Sequence, residues 1–291
     1  MYQRILVPTD CSDVADAAAE AAIALARLFD ADLVAIHAPE PGVRSPGTGD
    51  RADDPAPSRG EEALNDIAER AADAGLEVTT AVVDGDAPIH RLVLGYAAEH
   101  DVDCIVMGTH GRTGLDRFAL GSVTERTVRE SPVPVVTVHE GTVVTPGMEA
   151  ILVPTDGSES AGAAIDHAVE LVGQTGAALH VVHVVDLGIV WDEAGAGRLL
   201  EALEESGARA LEAAIGRAET SDVPAVEASV LSGAPHRAIV EYAAEHDVDC
   251  IVMGTHGRTG LERYFLGSVT ERVIRLADVP VLTVKGSEPV D

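Results

Sequence analysis

Two short stretches of this chain carry residue types suited to holding a phosphate. The first is Gly108-Thr109-His110-Gly111, followed after nine residues by Gly121-Ser122; the second is Gly254-Thr255-His256-Gly257, followed at the same spacing by Gly267-Ser268. Glycine lets backbone N–H groups approach an oxyanion closely and permits positive φ. A helix N-terminus adds unsatisfied donors and a favourable dipole, and both serines read as helix starts, with Val123 and Val269 next in line. Each serine contributes a hydroxyl. A ligand-free reading is equally open, because Ser122-x-x-Glu125 and Ser268-x-x-Glu271 have the sequence of capping boxes.

The polar side chains around these loops admit more than one role. His110 and His256 could act as acid–base groups, although donation to a phosphate or to backbone asks less of a loop histidine. Arg112 and Arg258 fit a phosphate or a surface carboxylate. His90-Arg91 and His236-Arg237 read as exposed residues at helix starts. No Gly-x4-Gly-Lys-Ser/Thr loop occurs, and Lys285 is the only lysine, so no lysine is expected at the phosphates. A phosphoryl-transfer enzyme needs such groups aligned for in-line attack.

The loops are paired because the chain is duplicated. Tyr96–Arg117 recurs as Tyr242–Arg263 with one change, Asp116 to Glu262. The same offset of 146 relates Ile5–Asp10 to Ile151–Asp156 and Gly121–Arg126 to Gly267–Arg272. Two copies of one domain follow, spanning 1–140 and 149–291 with a linker at 141–148, and any site should occur twice.

The elements that must position the loops are legible from periodicity. In the first copy, buried-type strands are expected at Arg4–Pro8, Leu33–His37, Glu77–Val83, Asp103–Met107 and Val133–His139. Helices are expected at Asp13–Phe29, Glu61–Ala74, Ile89–His100 and Ser122–Glu130. In the second copy the strands fall at Ala150–Pro154, Ala178–Val185, Ala225–Leu231, Asp249–Met253 and Val279–Lys285. Pro39–Gly60, rich in Pro, Gly, Asp and Ser, reads as a long loop. Strict alternation implies an α/β fold of two tandem doubly wound domains, each a five-stranded parallel sheet with helices on both faces. Right-handed crossovers favour the order 3-2-1-4-5. Its winding reverses between strands one and four, where open α/β sheets bind ligands. Pro8, Thr9 and Asp10 fall there beside Gly108, as do Pro154, Thr155 and Asp156 beside Gly254. Pro134 and Pro280 suit the fifth strand to an edge, and an apolar edge needs cover. The equivalent edge of the other copy is the natural one.

Composition narrows the partners. The chain has 49 Asp and Glu against 20 Lys and Arg, a net charge of −29, which repels nucleic acid and anionic membranes. Such an excess suits a high-salt cytoplasm, where the Debye length shrinks to about 3 Å at molar salt. The N-terminus reads directly into a strand without the features of a secretory signal, so a cytoplasmic protein is expected. Cys104 and Cys250 are equivalent positions in apolar strands, suited to packing. No Cys/His spacing suggests a metal site.

The pattern Gly-x2-Gly-x9-Gly-Ser, complete in both copies, resembles the nucleotide-binding branch of the universal stress protein family. Val7-Pro8-Thr9-Asp10 and Val153-Pro154-Thr155-Asp156 are similar to the family's first strand and its ribose- or adenine-contacting Asp. The resemblance covers nearly the whole chain. It implies ATP (or AMP or ADP) with its phosphates on each glycine loop and adenine near Ala38 or Val184, beside Met107 or Met253. Mg²⁺ would come with the nucleotide, Asp10 and Asp156 being possible ligands. It also implies pairing through the fifth strands within one chain and leaves pairing of chains open. The function expected is a stress-response, nucleotide-binding regulatory module with little turnover. Two alternatives are an adaptor that binds no nucleotide and an ATP-using enzyme of the related α/β hydrolase type. The latter's Ser-Gly-Gly-x-Asp-Ser loop is missing after the first strand of either copy.

Overall fold

A computed structural model describes residues 1–39, 58–111, 120–142, 144–145, 147–186, 196–219, 223, 225–257 and 266–286, without side-chain detail at 196–202 and 204. Most of the expected loop at Pro39–Gly60 lies outside the described residues, as do Arg112 and Arg258. Two compact units divide the chain, Tyr2–Thr142 and Val143–Asp291.

In the first unit the elements run β1 (Arg4–Thr9), α1 (Asp13–Phe29), β2 (Asp32–His37), α2 (Arg59–Asp73), β3 (Val78–Val82), α3 (Ile89–Glu99), β4 (Cys104–Gly108), α4 (Ser122–Glu130) and β5 (Val135–Val138). The second runs β6 (Ala150–Pro154), α5 (Glu159–Thr175), β7 (Ala178–Val185), α6 (Ala196–Glu219), β8 (Val226–Ser232), α7 (Pro235–Glu245), β9 (Cys250–Gly254), α8 (Ser268–Leu276) and β10 (Val281–Val284). All ladders within a unit are parallel, in the orders β3-β2-β1-β4-β5 and β8-β7-β6-β9-β10. Ile5, Leu6, Leu33, Ile36 and Ile105 form the fully buried centre of the first unit, and Ile151, Leu152, Leu179 and Ile251 that of the second.

Strand β1 pairs unequally with its neighbours. It meets β2 over six residue pairs, Arg4↔Asp32 to Thr9↔His37, but β4 over only two, Ile5↔Cys104 and Leu6↔Ile105. The cause is in the sequence. The bond from Asp103 N–H to Arg4 O turns Arg4 toward β4, and strand alternation then turns Leu6 and Pro8 the same way. Pro8 has no N–H to continue that ladder. The second unit repeats this, with Asp249 N–H bonded to Ala150 O, Pro154 on the same side, and only Ile151↔Cys250 and Leu152↔Ile251 paired. A crevice opens at the carboxyl ends of both strand pairs.

Three expectations need correction. Pro134 and Pro280 precede their strands rather than sitting within them, and their carbonyls accept from Ile105 and Ile251 N–H at 3.0 Å. His90 is not an exposed helix-start residue; it is buried, with Nε2 3.8 Å from Glu130 Oε2, and burial lowers its pKa. The third is the pair of capping boxes, since the N-caps of α4 and α8 are Gly121 and Gly267. Cys104 and Cys250 are buried, and burial pushes the Cys250 thiol up to about 12.

A glycine fixes how α2 and α6 lie on their sheets. A Cβ on Gly60 would run into the His37 ring, and one on Gly207 into the His183 ring. These rings are held by bonds from Nδ1 to Thr9 O (2.9 Å) and Thr155 O (2.8 Å), so they cannot simply swing away. Gly207→Ala should cost roughly 1–3 kcal/mol by overpacking, read as a lower urea midpoint. A second test uses pH. Burial lowers the His167 pKa from 6.5 to about 4, so its neutral form stabilises the fold above pH 6.5 and that contribution is lost as pH falls toward 4. Thermal unfolding of His167→Gln should show a shallower loss of Tm over that window than the parent; an unchanged slope refutes the assignment.

Candidate functional site

The crevice of the first unit is a cavity of about 210 Å³. Its walls include Pro8, Thr9 and Asp10 from the end of β1, Ala38 after β2, and Met107, Gly108, His110 and Gly111 from the end of β4. Gly121, Ser122 and Val123 close it at the start of α4. The second unit has a cavity of about 400 Å³ lined by Pro154, Thr155, Asp156, Val184, Met253, Gly254, His256, Gly257, Gly267, Ser268 and Val269. The structure therefore brings together every residue singled out from the sequence except Arg112 and Arg258. Sequence reasoning missed Ala15, Ile89, Val93 and Thr124, with Ala161, Pro235, Ile239 and Thr270 in the second unit. They lie on α1, α3 and α4 or on the matching helices, and only the fold reveals that their faces meet the crevice.

The loop glycines are needed for contact rather than for unusual φ, since none of the six has positive φ. A Cβ on Gly108 would meet Val14 Cγ1 at 2.5 Å and Val14 O at 3.0 Å; one on Gly254 would meet Ser160 O at 2.7 Å. On Gly111 it would strike Asp10 Oδ2, and on Gly257 it would reach Asp156 Oδ2 at 2.7 Å. A Cβ on Gly121 would come within 3.1 Å of His110 Cα. The loop is thus a backbone surface pressed against α1 and against the Asp carboxylate.

The Asp carboxylates are oriented locally. Asp10 Oδ1 accepts from Ser12 N–H (3.1 Å) and Ser12 Oγ–H (2.5 Å), and Asp156 Oδ1 accepts from Ser158 N–H (2.9 Å). Ser12 and Ser158 in turn cap α1 and α5. The turn passes through left-handed backbone, at φ 63° for Cys11 and 79° for Gly157.

The helix starts correct the capping-box expectation. The N-cap of α4 is Gly121 and that of α8 is Gly267, and neither has a side-chain cap. Ser122 and Ser268 occupy the first helical turn instead. The first bonds into these helices run from Glu125 N–H to Gly121 O and from Glu271 N–H to Gly267 O, both 2.8 Å. The donors ahead of them belong to Ser122, Val123 and Thr124, which all line the cavity. Such a turn is an anion site by geometry and dipole.

Threonines anchor the loop from behind. Thr124 Oγ1 donates to Gly108 O at 2.7 Å and Thr270 Oγ1 to Gly254 O at 2.9 Å. Gly121 N–H bonds Thr109 O at 2.7 Å and Gly267 N–H bonds Thr255 O at 2.8 Å, closing each loop onto itself. The units differ at one neighbouring position. Thr109 Oγ1 lies 2.9 Å from Nδ1 of buried His139, whose counterpart is Lys285. In both units the threonine also meets the loop histidine, Thr109 Oγ1 to His110 Nδ1 at 3.3 Å and Thr255 Oγ1 to His256 Nδ1 at 2.8 Å. Burial, and secondarily the Lys285 charge, lower the His256 pKa, which favours its neutral form. The lone lysine, not expected at the phosphates, thus comes near the glycine loop of the second unit.

The family model of the universal stress proteins matches residues 1–139 and 148–285. The chain belongs to that family. A universal stress protein of Methanocaldococcus jannaschii is 41% identical over 138 residues, covering 46% of this chain and 81% of that protein. One from Mycolicibacterium smegmatis is 29% identical over 292 residues, 97% of this chain and 96% of that protein. The crystal structure of a universal stress protein from Archaeoglobus fulgidus overlays with a TM-score of 0.67 at 25% identity, covering 98% of this chain and 97% of that one. This chain thus carries two universal stress domains in tandem.

The anchoring threonines give a direct test of loop geometry. Thr124→Val removes the bond to Gly108 O and leaves that carbonyl short of a donor, which should cost about 1–2 kcal/mol in denaturant unfolding. Thr270→Val should cost a similar amount. Loss of neither would mean that the loops are held elsewhere.

Proposed function

We infer that each universal stress domain binds an adenine nucleotide in its crevice and that binding, with little turnover, is the protein's function in a stress response. The observation that carries this reading is the uncapped first turn of α4, and of α8, opening onto a cavity whose far end is apolar. Phosphates would lie on the glycine loop and on the N–H groups of Ser122–Thr124 or Ser268–Thr270. Adenine would lie against Ala38, Val93 and Met107, or Val184, Ile239 and Met253. A ribose or adenine contact falls to Asp10 and Asp156. Their Oδ2 atoms, facing Gly111 and Gly257, also suit them to share Mg²⁺ with the phosphates, the route by which slow hydrolysis would arise.

The cradle fits a phosphate chain because it is built of backbone. A side chain at Gly108 or Gly111 would fill the space between the loop and α1 or Asp10. Among the described lining residues of the first cavity, Asp10 and His110 are the only ionisable ones, a sparse set for phosphoryl transfer. That favours a binding module over an ATP-using enzyme, and the paired cradles favour it over an adaptor without nucleotide. The acid excess further suits the protein to a salty cytoplasm. The apolar fifth strands, each following a proline, are proposed to cover one another. Among the described residues no helix is long and apolar enough to cross a membrane.

The test is to purify the protein in molar salt, denature it and quantify released adenine nucleotide, alongside Gly111→Val, Gly257→Val and the double variant. Each single variant should lose the share of one domain and the double variant all of it. A parent protein that releases no nucleotide, and takes up none when ATP and Mg²⁺ are supplied, overturns the reading in favour of the adaptor.

A further inference from the structure

The second unit has a groove of about 280 Å³ between the start of α5 and the middle of α6. Thr155 belongs to both this groove and the nucleotide cavity, yet the groove lies on the outer side of the β6–α5 turn and plays no part in the function proposed above. The first unit serves as its control. Gly60 and Gly207 abut the equivalent rings of His37 and His183, so α2 and α6 align with an offset of 147. That alignment pairs Arg70 with Arg217. The structure agrees, since Arg70 bonds Glu20 (3.0 Å) and Arg217 bonds Asp166 (2.6 Å), the counterpart of Glu20.

With this register the walls can be compared residue by residue. In the first unit, Arg59 lies along the turn and donates to Cys11 O at 3.1 Å, and Asp16 accepts from Arg70 at 3.1 Å. In the second unit Arg59, Cys11 and Asp16 become Ser206, Gly157 and Gly162, which removes the side chains that fill the space. The acids Glu62 and Asp66 become Arg209 and Ala213. Three carboxylates have left this one place, in a chain that carries 49, and one arginine has moved, from the position of Arg59 to that of Glu62. Among the described residues Arg209 pairs with exposed Glu205 at 3.8 Å, a surface pair of small strength. Arg217 keeps Asp166 and turns Nη2 toward Gly162.

We propose that this groove is a second, separate binding site for a small phosphomonoester, held by the guanidinium groups of Arg209 and Arg217 beside Gly162. Two planar guanidiniums over small side chains match a phosphate dianion. The space is more than phosphate alone requires, because a water molecule occupies about 30 Å³ of liquid. The site is independent of nucleotide binding and is peculiar to the second unit.

The experiment is calorimetric titration of the full chain with inorganic phosphate and with glycerol 3-phosphate, at fixed ionic strength in molar sodium chloride. Arg209→Glu and Gly162→Asp each restore the residue type of the first unit at an exposed or half-buried position, and circular dichroism checks that both variants fold. Each should weaken phosphate binding roughly tenfold or more, as a carboxylate placed beside the anion demands, while leaving released nucleotide unchanged. The Gly111→Val, Gly257→Val double variant should still bind phosphate. Binding that survives both groove variants but disappears in the glycine-loop double variant would overturn the groove and leave the nucleotide reading intact. No heat of binding with either probe would also overturn it.

Discussion

In each unit a central strand is zipped along one side and released early on the other, and the site depends on that asymmetry. β1 holds β2 over its full length and lets go of β4 after Leu6↔Ile105. Parallel strands gain one evenly spaced bond after another, so a ladder ends where a donor is missing. Pro8 and Pro154 remove that donor on the side facing β4 and β9. Past that point the chains diverge, with β1 turning through Thr9 and Asp10 into α1 and β4 turning through the glycine loop toward α4. Without the early split, Asp10 and Gly111 would be separated by ladder hydrogen bonds and no crevice would exist.

The split must still be bridged by something thin, which explains the glycines. Gly108 lies on the first turn of α1, Gly111 on the Asp10 carboxylate, and Gly121 on the backbone of His110. All three are contacts of backbone with its surroundings, and they are the same in both units. The lining side chains vary around them: Ala38 becomes Val184, Ile89 becomes Pro235 and Val93 becomes Ile239. Shape along the phosphate path is fixed by absence of side chains, whereas the apolar end tolerates exchange of one hydrocarbon for another.

Much of this was legible in the sequence, for identifiable reasons. Helix α1 and the strand order follow from local periodicity and from handed crossovers, which depend little on distant contacts. Nearly all the cavity residues named from the loops do meet at the crevice, because the switch point fixes where strand ends converge. What escaped was nonlocal. Ser122-x-x-Glu125 has the letters of a capping box, but the chain enters α4 one residue early because Gly121 N–H is drawn back to Thr109 O. His90 looked exposed at a helix start, yet α3 lays it against Glu130 of α4. The lone lysine is distant from the glycine loop in sequence but reaches His256 because β10 runs beside β9, pairing Val284 with Gly254. The role of Pro8 depends on which way residue 8 faces, and only the bond at Arg4 settles that.

The two units also show where a duplicated domain is free to diverge. Identity is concentrated in the strand-four loop, where a Cβ on the described glycines would meet the first helix, an Asp carboxylate or the loop itself, and it relaxes on the second helix of each unit. There α2 runs 15 residues and α6 runs 24, while Gly60, Leu64 and Ala71 keep their counterparts Gly207, Leu211 and Ala218 on the buried face. Among buried positions Ile67 becomes the smaller Ala214, but most of the change falls where side chains look outward, and the field there is set by the whole surface. In a chain of net charge −29, an exposed carboxylate gained or lost at random alters little, since acid surrounds it everywhere. Removing three at one place while two arginines remain makes a local reversal that a Debye length of a few ångströms at high salt would keep local. The nucleotide cradle is insulated from that change because it is made of backbone, whose donors and shape do not alter when the charges outside it do.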